Sequence, residues 1–188
     1  VRFYNAVIDE CLVQGIKPVM NLFHFDMPIE LQNKYGGWES KHVVDLFAKF
    51  AGQCFRLFGD RVTDWFTFNE PLVIVDGAYL YQFHYPKIVD GKKAVQVAYN
   101  IALASAKTIA AFREINTNPA GKIGIILNLT PSYPATEEPE DLAAASFANL
   151  WMNDMFLDAA VKALSRKNWW LRSKRMESYG IRQRRSCS

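Results

Sequence analysis

The chain has 188 residues, 50% hydrophobic and 22% charged, which is enough apolar content to bury a core and excludes a disordered or fibrous chain. Its net charge of +3 is uneven: positions 166–188 carry eight Lys or Arg against Glu177 alone, leaving 14 basic and 18 acidic residues, net −4, over positions 1–165. No apolar run approaches the roughly 18–20 residues that span a bilayer and no signal-peptide order opens the chain, so a cytoplasmic setting without membrane contact is expected, with Cys11, Cys54 and Cys187 as reduced thiols.

Val1 lies inside a helical pattern, with Val7, Ile8, Cys11 and Leu12 at helical spacing and Gly15 as the stop, so further sequence upstream is expected. Lys17–Phe23 reads as a first strand. Val43, Leu46, Phe47, Phe50, Ala51, Cys54, Phe55 and Phe58 mark a second helix that Gly59 closes, and Val62–Phe68 reads as the second strand. Cys11 and Cys54 fall on these helix faces as packing residues. Leu72–Gly91 reads as an unusually long loop rich in aromatic residues, among them Tyr79, Tyr81, Phe83 and Tyr85. A third helix follows from about Lys93 to Ile115, then a third strand Lys122–Leu129 and a fourth helix Asp141–Leu164. Strands alternating with helices of ten or more residues predict the α/β class, with right-handed crossovers and a parallel sheet. A doubly wound sheet is the alternative to a barrel, but no Gly-x-Gly-x-x-Gly follows any strand, and Gly36-Gly37 lies in a loop far from a helix start.

Thr67-Phe68-Asn69-Glu70-Pro71 places two polar side chains at the C-terminal end of the second strand, where parallel α/β sheets carry their chemistry. Glu70 is the catalytic candidate; its plain structural alternative is a helix-start residue beside Pro71, favoured there by the helix dipole. His24 ends the first strand on the same rim, and Asp26 supports the turn before Pro28 rather than acting as a second catalytic carboxylate. Asn128 ends the third strand and is a further rim candidate. Trp38 is either a stacking platform or a loop anchor. No cluster with metal-ligand spacing is present in the sequence.

Asn69-Glu70-Pro71, Phe23-His24-Phe25-Asp26-Met27-Pro28, Gly36-Gly37-Trp38 and Phe58-Gly59-Asp60-Arg61-Val62 together resemble the family 1 glycoside hydrolases, the retaining β-glycosidases. The resemblance implies a (β/α)8 TIM barrel, with residues 1–164 as a central portion of about three strands and their helices, and an enzyme without cofactor or metal. It gives Glu70 the acid/base role, Asn69 the hydrogen bond to the sugar 2-hydroxyl, and His24 contacts with sugar hydroxyls. Gly77-Ala78-Tyr79-Leu80-Tyr81 and Phe83-His84-Tyr85-Pro86 are most similar to bacterial 6-phospho-β-glucosidases, so the expected partner is a small β-glycoside, 6-phosphorylated, and no nucleic acid.

Retention needs a second carboxylate about 5 Å from the first. The family's nucleophile motif, Thr-Glu-Asn-Gly, is absent, and Glu10, Glu30, Glu39, Glu114, Glu137, Glu138 and Glu140 fall on helices, in the loop after the first strand or in an acidic turn. The chain by itself is therefore expected to be inactive. Back-translating Lys167–Leu171 one nucleotide earlier permits Lys-Glu-Leu-Val-Ala, an ordinary helical run, so the tail 165–188 is expected to be a frameshift product. Open sheet edges predict self-association. The rivals are another (β/α)8 hydrolase pairing Glu70 with a different group, and a non-catalytic binding module with a basic tail.

Overall fold

The computed structural model describes residues 1–116 and 118–162. The basic tail, Cys187 and the last residues of the fourth predicted helix lie outside these. The elements in chain order are α1 (Arg2–Val13), β1 (Val19–Asn21), α2 (Ile29–Tyr35), a 3-10 turn (Gly37–Glu39), α3 (Lys41–Phe58), β2 (Asp64–Asn69), α4 (Pro71–Tyr79), α5 (Gly91–Ile115), β3 (Lys122–Ile126), α6 (Pro139–Asn149), a π-helical turn (Leu150–Asp154) and α7 (Met155–Lys162). They form two compact units, Val1–Glu70 with Leu103–Ile126, and Pro71–Ala102 with the described residues from Leu127 onward.

In the first unit the strands form one parallel sheet in the order β1-β2-β3. β2 is central, with Trp65, Thr67 and Phe68 buried and Asp64, Phe66 and Asn69 partly exposed. Ser40 caps α3 by accepting from the His42 N–H at 3.2 Å, and the helix buries Val43, Val44, Phe47, Ala51, Cys54, Phe55 and Phe58. Phe55 meets Trp65 of β2 edge-on at 4.9 Å and Phe112 of α5 at 5.2 Å, which binds strand and helices into one core. Burial pushes the Cys54 thiol up to about 11, so it serves as a packing residue.

Two motifs acquire physical reasons. Gly36 (φ 78) ends α2 in the left-handed conformation and Gly37 (φ 56) follows in the same region, which side chains disfavour. The turn they make sinks Trp38 to 4% exposure among Phe23, Phe47 and Phe68, at centroid distances of 5.2, 5.4 and 5.2 Å. In Phe58-Gly59-Asp60-Arg61-Val62, a Cβ on Gly59 would sit 2.4 Å from the Phe55 carbonyl oxygen. Arg61 then donates to Asp9 at 2.6 Å and Asn5 at 2.7 Å, tying α1 to the entry of β2.

The structure corrects several predicted boundaries. β1 ends at Asn21 rather than His24, and β3 ends at Ile126 rather than Leu129. The β2–β3 ladder stops where Pro71 begins a helix. Leu72–Tyr79 is not loop but α4, a helix apolar nearly all round that lacks the one-sided stripe by which a surface helix is read. α2 occupies the stretch expected as loop after the first strand, and the fourth predicted helix is interrupted by the π turn.

Candidate active site

β2 carries an irregularity just before the candidate carboxylate. Phe66 pairs with Gly124 and Asn69 with Ile126, so three steps along β2 match two along β3. The extra residue is a β-bulge at Thr67-Phe68, a device that re-aims side chains. Both bulged residues are fully buried toward the helices: the Thr67 and Ser105 hydroxyls lie 2.8 Å apart, and the Phe68 ring lies 4.8 Å from that of Phe47. Regular alternation would place Asn69 with Trp65 and Thr67 on the helix side. The bulge places it with Phe66 on the opposite face.

Glu70 follows with φ +43, a left-handed conformation rare for a residue with a Cβ. Both neighbouring strands hold it there: the Asn69 N–H donates to the Phe23 carbonyl at 2.9 Å, and the Glu70 N–H to the Ile126 carbonyl at 3.0 Å. Pro71 then starts α4 in the position proline tolerates best. Glu70 thus lies between the last residue of β2 and the first of α4.

His24 lies three residues beyond β1, but the Phe23–Asn69 bond brings its backbone to the same end of the sheet as Asn69 and Glu70. Its side chain is exposed, and its N–H donates to Asp26 Oδ1 at 3.0 Å, which fixes Asp26 as a turn residue. Phe25 is the second strained position at this end, with φ +70. Trp38 is a loop anchor.

Asn128 belongs to the second unit, two residues past β3. The segment after it is held by two asparagines one helical turn apart. Asn153 donates to the Thr130 carbonyl at 3.0 Å and accepts from the Thr130 N–H at 2.7 Å; Asn149 does the same for Ser132, at 2.6 and 3.0 Å. The match is geometric, because four residues of helix and two of extended chain each advance about 6–7 Å.

The same π turn carries Trp151, whose indole N–H donates to Asp76 Oδ1 on α4 at 3.0 Å. Burial pushes the Asp76 carboxyl up to about 6, with the Trp151 bond acting in the opposite direction. In the loop 80–90, Tyr81, Phe83 and Tyr85 are exposed aromatic side chains, while Tyr79 is buried in α4. Phe83 and His84 fold back on Gly77, where a Cβ would meet them at 2.6 and 2.7 Å. Sequence reasoning missed Asp76, Asn149 and Asn153. A lone acid within Leu72-Val73-Ile74-Val75-Asp76 was the one available signal for Asp76. Among the described residues no group of three or more His, Cys, Asp or Glu is placed to hold a metal ion, and no helix is long and apolar enough to cross a membrane.

Residues 1–176 match the model of glycosyl hydrolase family 1. The 6-phospho-beta-glucosidase GmuD of Bacillus subtilis (strain 168) is 56% identical over 160 residues, covering 85% of this chain and 34% of its own length. Beta-glucosidase A of Thermotoga maritima is 40% identical over 151 residues, covering 80% and 33%. The solved structure of a β-glucosidase from Thermotoga maritima in complex with deoxynojirimycin superposes with a TM-score of 0.78 at 34% identity, over 94% of this chain and 42% of that one. The chain spans about a third of the length of the curated relatives it matches.

Proposed function

The chain belongs to glycosyl hydrolase family 1, its three parallel strands forming an arc of the (β/α)8 barrel, and on that premise we propose that it carries the acid/base half of a retaining β-glycosidase acting on 6-phospho-β-glucosides. The carrying observation is the bulged end of β2, which turns Asn69 away from the helices and presents Glu70 in a strained conformation held from both sides. Strain over-determined by its surroundings is characteristic of functional positions.

In this reading Glu70, as the acid, protonates the glycosidic oxygen while a second carboxylate attacks the anomeric carbon, and the aglycone leaves as an alcohol. Glu70, now the base, takes a proton from the water that cleaves the glycosyl–enzyme bond, releasing the sugar with its original configuration. Asn69 holds the 2-hydroxyl, and His24 contacts other hydroxyls. The attacking carboxylate is not supplied by this sequence, so the 188-residue chain alone is inactive and needs the remainder of a barrel. The preference for a 6-phosphorylated sugar is supported by the 56% identity to GmuD.

The test is a chimera in which residues 1–162 replace the matching segment of GmuD, assayed with p-nitrophenyl β-D-glucoside and its 6-phosphate. Hydrolysis of the 6-phosphate with retained configuration is expected, and Glu70→Gln should lower kcat by roughly a hundredfold or more. A chimera that is folded and silent on both substrates, or one indifferent to Glu70→Gln, would overturn the reading.

A further inference from the structure

Asn21 is the one polar side chain in the run Val19-Met20-Asn21-Leu22-Phe23, and it sits at the last position of β1. Its Nδ2 donates to the Phe23 carbonyl at 2.9 Å, the same oxygen that receives the Asn69 N–H at 2.9 Å. Its own Oδ1 is shielded from solvent and has no hydrogen-bond partner. A buried acceptor left unsatisfied is unfavourable, so stability alone would favour an apolar residue here. What the amide gains is control of one carbonyl: by bonding to the oxygen two residues ahead, it fixes the angle at which the chain leaves β1 and so the point to which Asn69 is tethered.

We infer that Asn21 is a positioning residue for Glu70, acting through Phe23 and Asn69. The left-handed backbone of Glu70 is held from the β3 side by the Ile126 carbonyl and from the β1 side by the Phe23–Asn69 bond, and the Asn21 amide bonds to that same Phe23 carbonyl. Losing its amide frees the Phe23 carbonyl to rotate and lets the β1-side hold slacken. The functional meaning of this tether rests on the acid/base reading of Glu70; the tether itself does not.

The experiment compares the full 188-residue chain with its Asn21→Leu variant by amide hydrogen exchange. The Leu22 N–H, which donates to the Phe66 carbonyl at 2.9 Å between the same two strands, is the internal reference. Exchange of the Asn69 and Glu70 amides should rise at least tenfold in the variant, with Leu22 within twofold and the unfolding midpoint not lowered. Asn69 exchange that changes no more than that of Leu22 would overturn the inference, because a merely structural role moves both together. Asn21→Asp, isosteric and equally without the amide donor, gives the same ratio should the leucine variant fail to fold. In the GmuD chimera, Asn21→Leu should lower kcat at least tenfold with KM within twofold. A chimera inactive with Asn21 intact counts against the Glu70 reading, whereas the exchange ratio alone decides the tether.

Discussion

Asp76 carries a charge where burial opposes one. Its folded-state pKa of about 6 lies above the ordinary carboxylate value of about 3.9, so the folded chain binds this proton more tightly than the unfolded one. Its contribution is therefore greatest below pH 4 and is lost as pH rises from about 4 to 6. Asp76→Asn retains an acceptor for the Trp151 indole and removes the charge. The variant should match the parent in urea unfolding at pH 4 and exceed it at pH 7 by on the order of 1 kcal/mol, once partial exposure of the carboxyl is allowed for. A stability difference that stays flat across that range would show that Asp76 does not titrate there. Its place at the end of an apolar run is the one local mark on this acid, because its partner is 75 residues away. The place of Asn69 and Glu70 at the end of β2 could be read because Pro71 follows them directly and opens a helix.

At the scale of elements, the asparagine pairs explain why a strand was read through Leu129. Leu127-Asn128-Leu129 alternates as a strand should, and the chain beyond it is bonded in strand fashion at Thr130 and Ser132, but to side chains from the helical segment 17 to 23 residues on. Replacing Asn149 and Asn153 together by Ala removes four hydrogen bonds to the backbone of Thr130 and Ser132, with a net loss of about 1 kcal/mol for each pair. Their amides should then exchange tenfold faster or more, while amides of β2 remain unchanged; protection that survives the double substitution would assign the ladder no energetic role. The main helices and their alternation with strands were legible because α3 and α5 show long 3.6-residue periodicity. The short helices α2 and α4 were not, since seven to nine residues give little more than two turns of pattern, and α4 is apolar on nearly every side.

For the molecule as a whole, the first unit leaves apolar surface uncovered. Phe3 is 70% exposed, Val13 78%, and Tyr4, Val7, Leu12, Ile16 and Val19 are exposed with them, along α1 and into the outer edge of β1. β1 and β3 are the outer strands of the sheet, and an outer strand flanked by apolar side chains recruits other chains. We propose that the isolated chain self-associates. Sedimentation at roughly 10–100 µM should show oligomers, and the double variant Val13→Lys, Val19→Lys should shift them toward monomer, since edge lysines disfavour strand addition. A parent chain that sediments as a monomer throughout would remove this expectation. Open edges follow from counting three strands in the sequence. The exposed face of α1 does not, because an amphipathic pattern shows which residues need cover and not what supplies it.

The bulge in β2 also bears on how such a chain can change over evolutionary time. Thr67 and Phe68 occupy one place on the partner strand, so Asn69 reaches its face through the number of residues before it as much as through their identity. Substitutions at these positions can be judged side chain by side chain, whereas losing or gaining a single codon between Phe66 and Asn69 would leave a sequence still rich in strand-forming residues with its Asn-Glu pair turned to the wrong side. Across related chains the spacing here should outlast the residue types, and an alignment gap inside this run is a stronger sign of a displaced Asn-Glu pair than any exchange of Thr67 or Phe68.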